Sequence, residues 1–196
     1  MNKSNIATIL EPVVKTFEEL GVLYYVGGSV ASSAYGIARA TLDVDLVSNL
    51  QSHQVNLLVE KLKPAYFIDS KMILDAIKTG SSFNIIHLDS MMKIDFFILI
   101  DKPYPQKAFE RKRIDTLDDE ADSIKMYLCS PEDIILNKLE WYKAGNQVSE
   151  RQWLDVLGVI KVQGDSLELE YMKRWAKELD VLDLLEKALI EGSFTN

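Results

Sequence analysis

Cysteine is almost missing from this chain: Cys129 stands alone among 196 residues. A single thiol excludes a disulfide framework within the chain. With only His53 and His87 beside it, a zinc site is not expected either. This usage fits a reducing, cytoplasmic setting. Long apolar runs are also lacking. No segment approaches the roughly 20 consecutive apolar residues that a membrane-crossing helix needs. Met1 to Leu20 is expected to be an amphipathic helix rather than a signal peptide. Ile6, Ile9, Leu10, Val13, Val14, Phe17 and Leu20 recur at helical spacing, and Glu11, Glu18 and Glu19 interrupt the apolar residues. A basic excess is the third absence. The net charge is −8 and the pI about 4.9, which argues against a long nucleic-acid footprint and suits a protein that holds cations or meets a basic partner. Hydrophobic residues at 47 % and charged residues at 27 % leave enough apolar mass for a packed core, so the chain as a whole is not expected to be disordered.

The expected elements change character along the chain. After the first helix, ending near Gly21, Val22 to Val26 reads as a buried strand. Gly27-Gly28-Ser29 reads as a turn and Ser29 to Tyr35 as a short helix. Leu42 to Val47 is the next strand, and Gln51 to Lys63 a helix stopped by Pro64. Lys71 to Lys78 is a short helix. Phe83 to Leu88 and Lys93 to Ile100 are strands joined by a polar turn at Asp89-Ser90. Pro103 and Pro105 break the pattern, so Lys102 to Asp122 is expected to be a charged loop with one edge strand. The acidic run Asp115 to Asp122 reads as its solvated part, and Ile124 to Leu128 as a further strand. Ser130-Pro131-Glu132-Asp133 is a helix start: a Ser cap, Pro in the first helical position and two acids in the first turn. Helices then follow over Pro131 to Ala144, Ser149 to Val162, Leu167 to Glu178 and Val181 to Ile190. The expected organisation is a mixed α/β part over 1–129 and a helical part over 130–196.

Three carboxylates stand out. On a strand, residues i and i+2 face the same side, roughly 6.5–7 Å apart, so Asp43 and Asp45 share a face while Val44 points into a core. Two like charges so close repel unless a cation sits between them, and Mg²⁺ (or Mn²⁺) is the natural one. Asp95 lies inside the apolar run Ile94-Asp95-Phe96-Phe97-Ile98, where a carboxylate is costly unless paired or metal-bound. Three acids on neighbouring strands suit two metal ions about 3.5–4 Å apart. Gly27-Gly28-Ser29 between a strand and a helix offers close backbone approach and free N–H groups to a phosphate.

These residues resemble the nucleotidyltransferase superfamily of polymerase-beta type: Gly28-Ser29, thirteen residues, Asp43-Val44-Asp45, then Ile94-Asp95-Phe96. With Arg39, Thr41 and Leu46 added, the string looks most like the AbiEii-type toxin branch. The resemblance spans roughly residues 20–100 and implies a mixed sheet flanked by helices, with a helical C-terminal part. It implies transfer of an NMP from an NTP to an acceptor hydroxyl, with Mg²⁺ held by Asp43, Asp45 and Asp95, and Gly27, Gly28 and Ser29 at the phosphates. The acceptor would be RNA or tRNA, a protein, or a small molecule, and the AbiEii-type branch implies an antitoxin protein as partner. Lys138 and Asp155 look like the Lys and Asp which that branch carries in its helical part.

Other readings stand beside these. Lys138 has only apolar and aromatic neighbours on its helical stripe (Ile134, Ile135, Trp141, Tyr142) and needs a distant anion, a triphosphate or a remote acid. Arg39 is either a phosphate contact or a structural partner of a motif acid. Asp155 is either functional or simply paired with Arg151 four residues earlier. Asp95 is the acid best suited to act as general base. Trp141, Trp153 and Trp175 are expected to pack, and Cys129 to be a small core residue. The alternative to an enzyme is a catalytically silent module of this fold that binds nucleotide or a protein partner.

Overall fold

A computed structural model describes residues 3–117 and 124–194. In chain order its elements are α1 (Lys3–Leu20), β1 (Tyr24–Val26), α2 (Gly28–Tyr35), β2 (Asp43–Ser48), α3 (Val55–Leu62), β3 (Tyr66–Phe67), α4 (Ser70–Thr79), β4 (Ser82–His87), β5 (Lys93–Ile98), α5 (Pro103–Glu110), β6 (Arg113–Asp115), β7 (Met126–Leu128), α6 (Pro131–Ala144), α7 (Glu150–Gln163), α8 (Leu169–Glu178) and α9 (Leu182–Phe194). They form two compact units. One comprises residues 1–30 and 40–128, the other 31–39 and 129–196.

The first unit is built on a mixed sheet which, among the described residues, has seven strands in the order β3-β4-β5-β2-β1-β7-β6. Its centre is the parallel pair β2 and β5, flanked by antiparallel β4 on one side and antiparallel β1 on the other. Alternation along these strands separates two faces. Val44 and Leu46 on β2, Ile94 and Phe96 on β5, and Phe83 and Ile85 on β4 are all buried on one of them. Helix α1 covers that face with the stripe read from its periodicity. Phe17 lies 5.8 Å from both Tyr24 and Phe96, centroid to centroid, and Phe96 stacks on Phe83 at 4.8 Å. Tyr66 on the edge strand β3 donates its hydroxyl to the Ile9 carbonyl at 2.5 Å, which ties α1 to the sheet edge. Each large side chain buried this way contributes about 1.5–3 kcal/mol.

Sequence and structure part company after β5. Pro103 and Pro105 do not break a helix; they begin one. Both stand in the first turn of α5, where backbone N–H groups have no intrahelical acceptor and the missing proton costs nothing. Tyr104, Ala108 and Phe109 then supply the buried stripe that holds α5 down. The edge strand expected in this segment is β6, paired with β7. Most of the acidic run Asp115 to Asp122 lies outside the described residues. The two-residue strand β3 had no periodicity to announce it.

The second unit is helical. Helix α6 starts as its sequence requires: the Ser130 hydroxyl accepts from the Asp133 N–H at 3.2 Å, with Pro131 in the first position. Asp133 is fully buried and satisfied, since the Ser130 hydroxyl donates to it at 2.6 Å and the Tyr171 hydroxyl of α8 at 2.7 Å. Residues 31–39 belong to this unit because Gly36 lets the chain lie directly on α7. A Cβ there would sit 2.8 Å from the Val159 nitrogen and 2.9 Å from the Gly158 carbonyl carbon, closer than atoms can pack. Trp175 packs as expected, whereas Trp141 is 61 % exposed. It stands in the last turn of α6. Cys129 is buried.

Candidate functional site

The parallel register of β2 and β5 sets the carboxylates side by side. Asp45 stands opposite Asp95, and Asp43 opposite Lys93. Directly paired residues of neighbouring strands share a face, as do residues two apart. Asp43, Asp45, Lys93 and Asp95 therefore form one patch on the face away from the Phe17 core, with Asn84 of β4 next in line beside Asp95. The carboxylates are held separately. Thr41 donates its hydroxyl to the Asp43 carboxylate at 2.8 Å. The Lys93 ammonium lies 2.6 Å from the Asp95 carboxylate. Among the described residues, no three carboxylate, imidazole or thiolate groups already converge on a single point.

Gly28 closes the patch on the side of Asp45. The Gly27 N–H donates to the Asp45 carbonyl at 2.8 Å, bringing the turn after β1 against β2. Gly28 then takes a left-handed φ of +54°, and a Cβ added to it would fall 1.7 Å from an Asp45 carboxylate oxygen. Only glycine satisfies both constraints. Ser29 follows in the first turn of α2. Backbone N–H groups at a helix start thus begin beside the Asp45 carboxylate.

These residues fit a divalent cation. The donors are hard carboxylate oxygens on one face, half-buried or exposed, and the space against Asp45 is one that any side chain at position 28 would fill. The structure also contains a cation that the sequence reading passed over. Lys93 stands two residues before Asp95, and period-two alternation alone puts both on one face. The hydrogen bond to Asp95 raises the Lys93 ammonium above its ordinary proton affinity. Partial burial opposes this, and the charges of Asp95, Asp43 and Asp45 add to it.

The second unit brings Arg39, Lys138 and Asp155 together. Arg39 grips the Asp155 carboxylate with two hydrogen bonds, Nε at 2.7 Å and Nη2 at 2.8 Å, a planar fork matched to a carboxylate. Lys138 Nζ donates to the same carboxylate at 2.8 Å and to the Gln152 side-chain oxygen at 3.1 Å. The side chains of Lys138 and Asp155 are each only 5 % exposed. Asp155 is thus paired across the fold, not with its helix neighbour Arg151, and it is the remote anion that Lys138 needed. Burial pushes the Asp155 carboxyl up, but the hydrogen bonds and charges of Arg39 and Lys138 outweigh it and hold the group below the usual carboxylate range. His87 is engaged with the Ser90 hydroxyl at 2.8 Å, at the turn joining β4 and β5.

No protein-family model matches the chain, and no curated protein matches it. Solved structures do. The antibiotic-resistance factor ANT(2'')-Ia in solution superposes with a TM-score of 0.54 over 97 % of this chain and 97 % of that one, at 16 % identity. An antigenic nucleotidyltransferase-like protein from Paracoccidioides brasiliensis gives 0.51 over 93 % and 91 %, at 15 % identity. JHP933 from Helicobacter pylori gives 0.51 over 92 % and 76 %, at 14 % identity. Identities this low speak for architecture alone, and the architecture is clear: a mixed sheet with flanking helices and a helical C-terminal part, the fold of the polymerase-beta-type nucleotidyltransferases.

Proposed function

We propose that this protein is a metal-dependent nucleotidyltransferase that moves an NMP from an NTP to an acceptor hydroxyl and releases pyrophosphate. The observation that carries this reading is the register of Asp45 with Asp95, with Asp43 on the same face and Gly28 kept bare against Asp45. Asp43, Asp45 and Asp95 would hold Mg²⁺ or Mn²⁺. Such ions align an attacking oxygen with a phosphorus and offset the charge of the departing pyrophosphate. Gly27, Gly28 and Ser29 would receive phosphate oxygens on backbone N–H groups and a hydroxyl. Asp95 would accept the acceptor's proton. Arg39 and Lys138 have the chemistry to receive an anion, and a phosphate contact is proposed for them.

For the acceptor, the net charge of −8 favours a small molecule or a protein over a long RNA. The solved structure of ANT(2'')-Ia with adenylyl-2"-tobramycin shows a small hydroxyl-bearing acceptor joined to a nucleotide on this fold. A toxin of AbiEii type, acting on RNA or tRNA and checked by an antitoxin protein, is the finer reading implied by the resemblance of Gly27-Gly28-Ser29, Arg39, Thr41 and Asp43-Val44-Asp45-Leu46 to that branch.

Calorimetric titration of the four NTPs, with and without Mg²⁺, tests the proposal on the wild type and on Asp43→Ala/Asp45→Ala. Metal-dependent binding that the double variant loses is expected. A folded wild type that binds no NTP overturns the reading. A second reading has its own observation: Asp95 is engaged by Lys93. If that engagement is permanent, the protein is a silent nucleotide-binding module, and binding without pyrophosphate release over a broad acceptor panel would establish it.

A further inference from the structure

Lys93 occupies a position where a cation matters most, and the proposed function gives it no role. It precedes Asp95 by two residues on β5 and stands opposite Asp43 on β2, so its side chain shares the face of all three acids. Its ammonium is 2.6 Å from an Asp95 carboxylate oxygen. At that distance it provides part of the compensation that the clustered negative charges require. An ammonium and a divalent ion on the same carboxylate repel each other strongly, so the two compete for Asp95. The Lys93 side chain is also 45 % exposed, so its four-carbon stem has open solvent beside it.

We propose that Lys93 is an in-built competitor of the divalent cation, a positioning residue that holds Asp95 while the carboxylate patch is empty and yields it when an ion arrives. This rests on the proposed metal site and adds a regulator to it. Asp95 joins an ion only after the Lys93 ammonium, 2.6 Å away, has let go. The residue thereby limits idle metal binding when no triphosphate is present to offer the displaced ammonium a new anion.

The test measures Mn²⁺ binding without nucleotide, by the electron paramagnetic resonance of the free ion, on wild type, Lys93→Met, Lys93→Arg and Asp95→Asn. A half-exposed ion pair contributes little to folding, so Lys93→Met is expected to fold, and Lys93→Gln serves as a second neutral variant. Lys93→Met is expected to bind Mn²⁺ at least about tenfold more tightly than wild type. Lys93→Arg, which keeps the charge, is expected to bind like wild type. The gain is expected to vanish when Lys93→Met is combined with Asp95→Asn. Unchanged or weaker Mn²⁺ binding by both neutral variants overturns the inference, and the proposed function survives if wild type still binds Mg²⁺-NTP. No Mn²⁺ binding by wild type or any Lys93 variant overturns the inference as well, and the proposed function falls with it only if the wild type also binds no Mg²⁺-NTP.

Discussion

At the scale of single residues, Gly28 is the most constrained position of the patch. Its φ of +54° costs an alanine about 1 kcal/mol, and the collision with the Asp45 carboxylate costs more. The two penalties separate in a double-mutant cycle. Gly28→Ala alone is expected to lower stability by about 2–4 kcal/mol and to remove metal-dependent nucleotide binding. In an Asp45→Ala background the same change is expected to cost less, since the carboxylate is gone and only the residue 45 Cβ, 2.9 Å from the added carbon, remains in the way. Urea denaturation of the four proteins reads both values, and equal costs in the two backgrounds would refute the contact. The alternation of Asp43, Val44 and Asp45 was legible in the sequence because side-chain direction on a strand is set by covalent geometry. Lys93 and Asp95 obey the same rule, so the ammonium that pairs with Asp95 was equally legible.

At the scale of elements, Asp155 joins α7 to α6 and to the segment that follows α2. Removing one member of a buried ion pair leaves the other uncompensated, which is strongly destabilising. Asp155→Asn is therefore expected to cost about 3–5 kcal/mol near neutral pH. The pH dependence has a definite sign. The folded carboxyl is held below its unfolded value of about 3.9, so its contribution is complete above that value and is lost as pH falls through the folded one. The stability gap between wild type and Asp155→Asn is expected to be constant from neutral pH to about pH 5 and to shrink below pH 4. Chemical denaturation at each pH measures it, and a gap that widens in acid would contradict the assignment. This cluster was only half legible. The isolation of Lys138 on an apolar stripe announced a missing anion, but Arg39 and Asp155 are 116 residues apart in the chain. Arg151, four residues from Asp155, offered a local partner that the fold did not use. Helix α5 shows the opposite error: two prolines were read as punctuation when their spacing fits the one turn of a helix that tolerates them.

For the whole molecule, charge is the property that bears on partners. Among the described residues, no helix is long and apolar enough to cross a membrane. With 30 acidic against 22 basic side chains, the chain has little with which to neutralise a row of phosphates. Fluorescence anisotropy with generic RNA oligomers at about 0.15 M salt is expected to show no micromolar binding, while Mg²⁺-NTP binding persists. Tight RNA binding with a steep salt dependence would move the acceptor assignment to RNA.

The sequence by itself determined what depends on near neighbours. That covers the helix periodicity of α1, the Ser130 cap of α6, the shared face of Asp43 and Asp45, and the need for glycine before a helix start. Each follows from local geometry or from the cost of burying the wrong group. Only the tertiary structure decided that β2 and β5 lie parallel with Asp45 against Asp95 and Lys93 against Asp43, and that Arg39 and Lys138 share Asp155. Those pairings bring together residues far apart in the chain. What selects them is the requirement that the apolar faces of all the strands and helices be buried at once, and no local pattern encodes that.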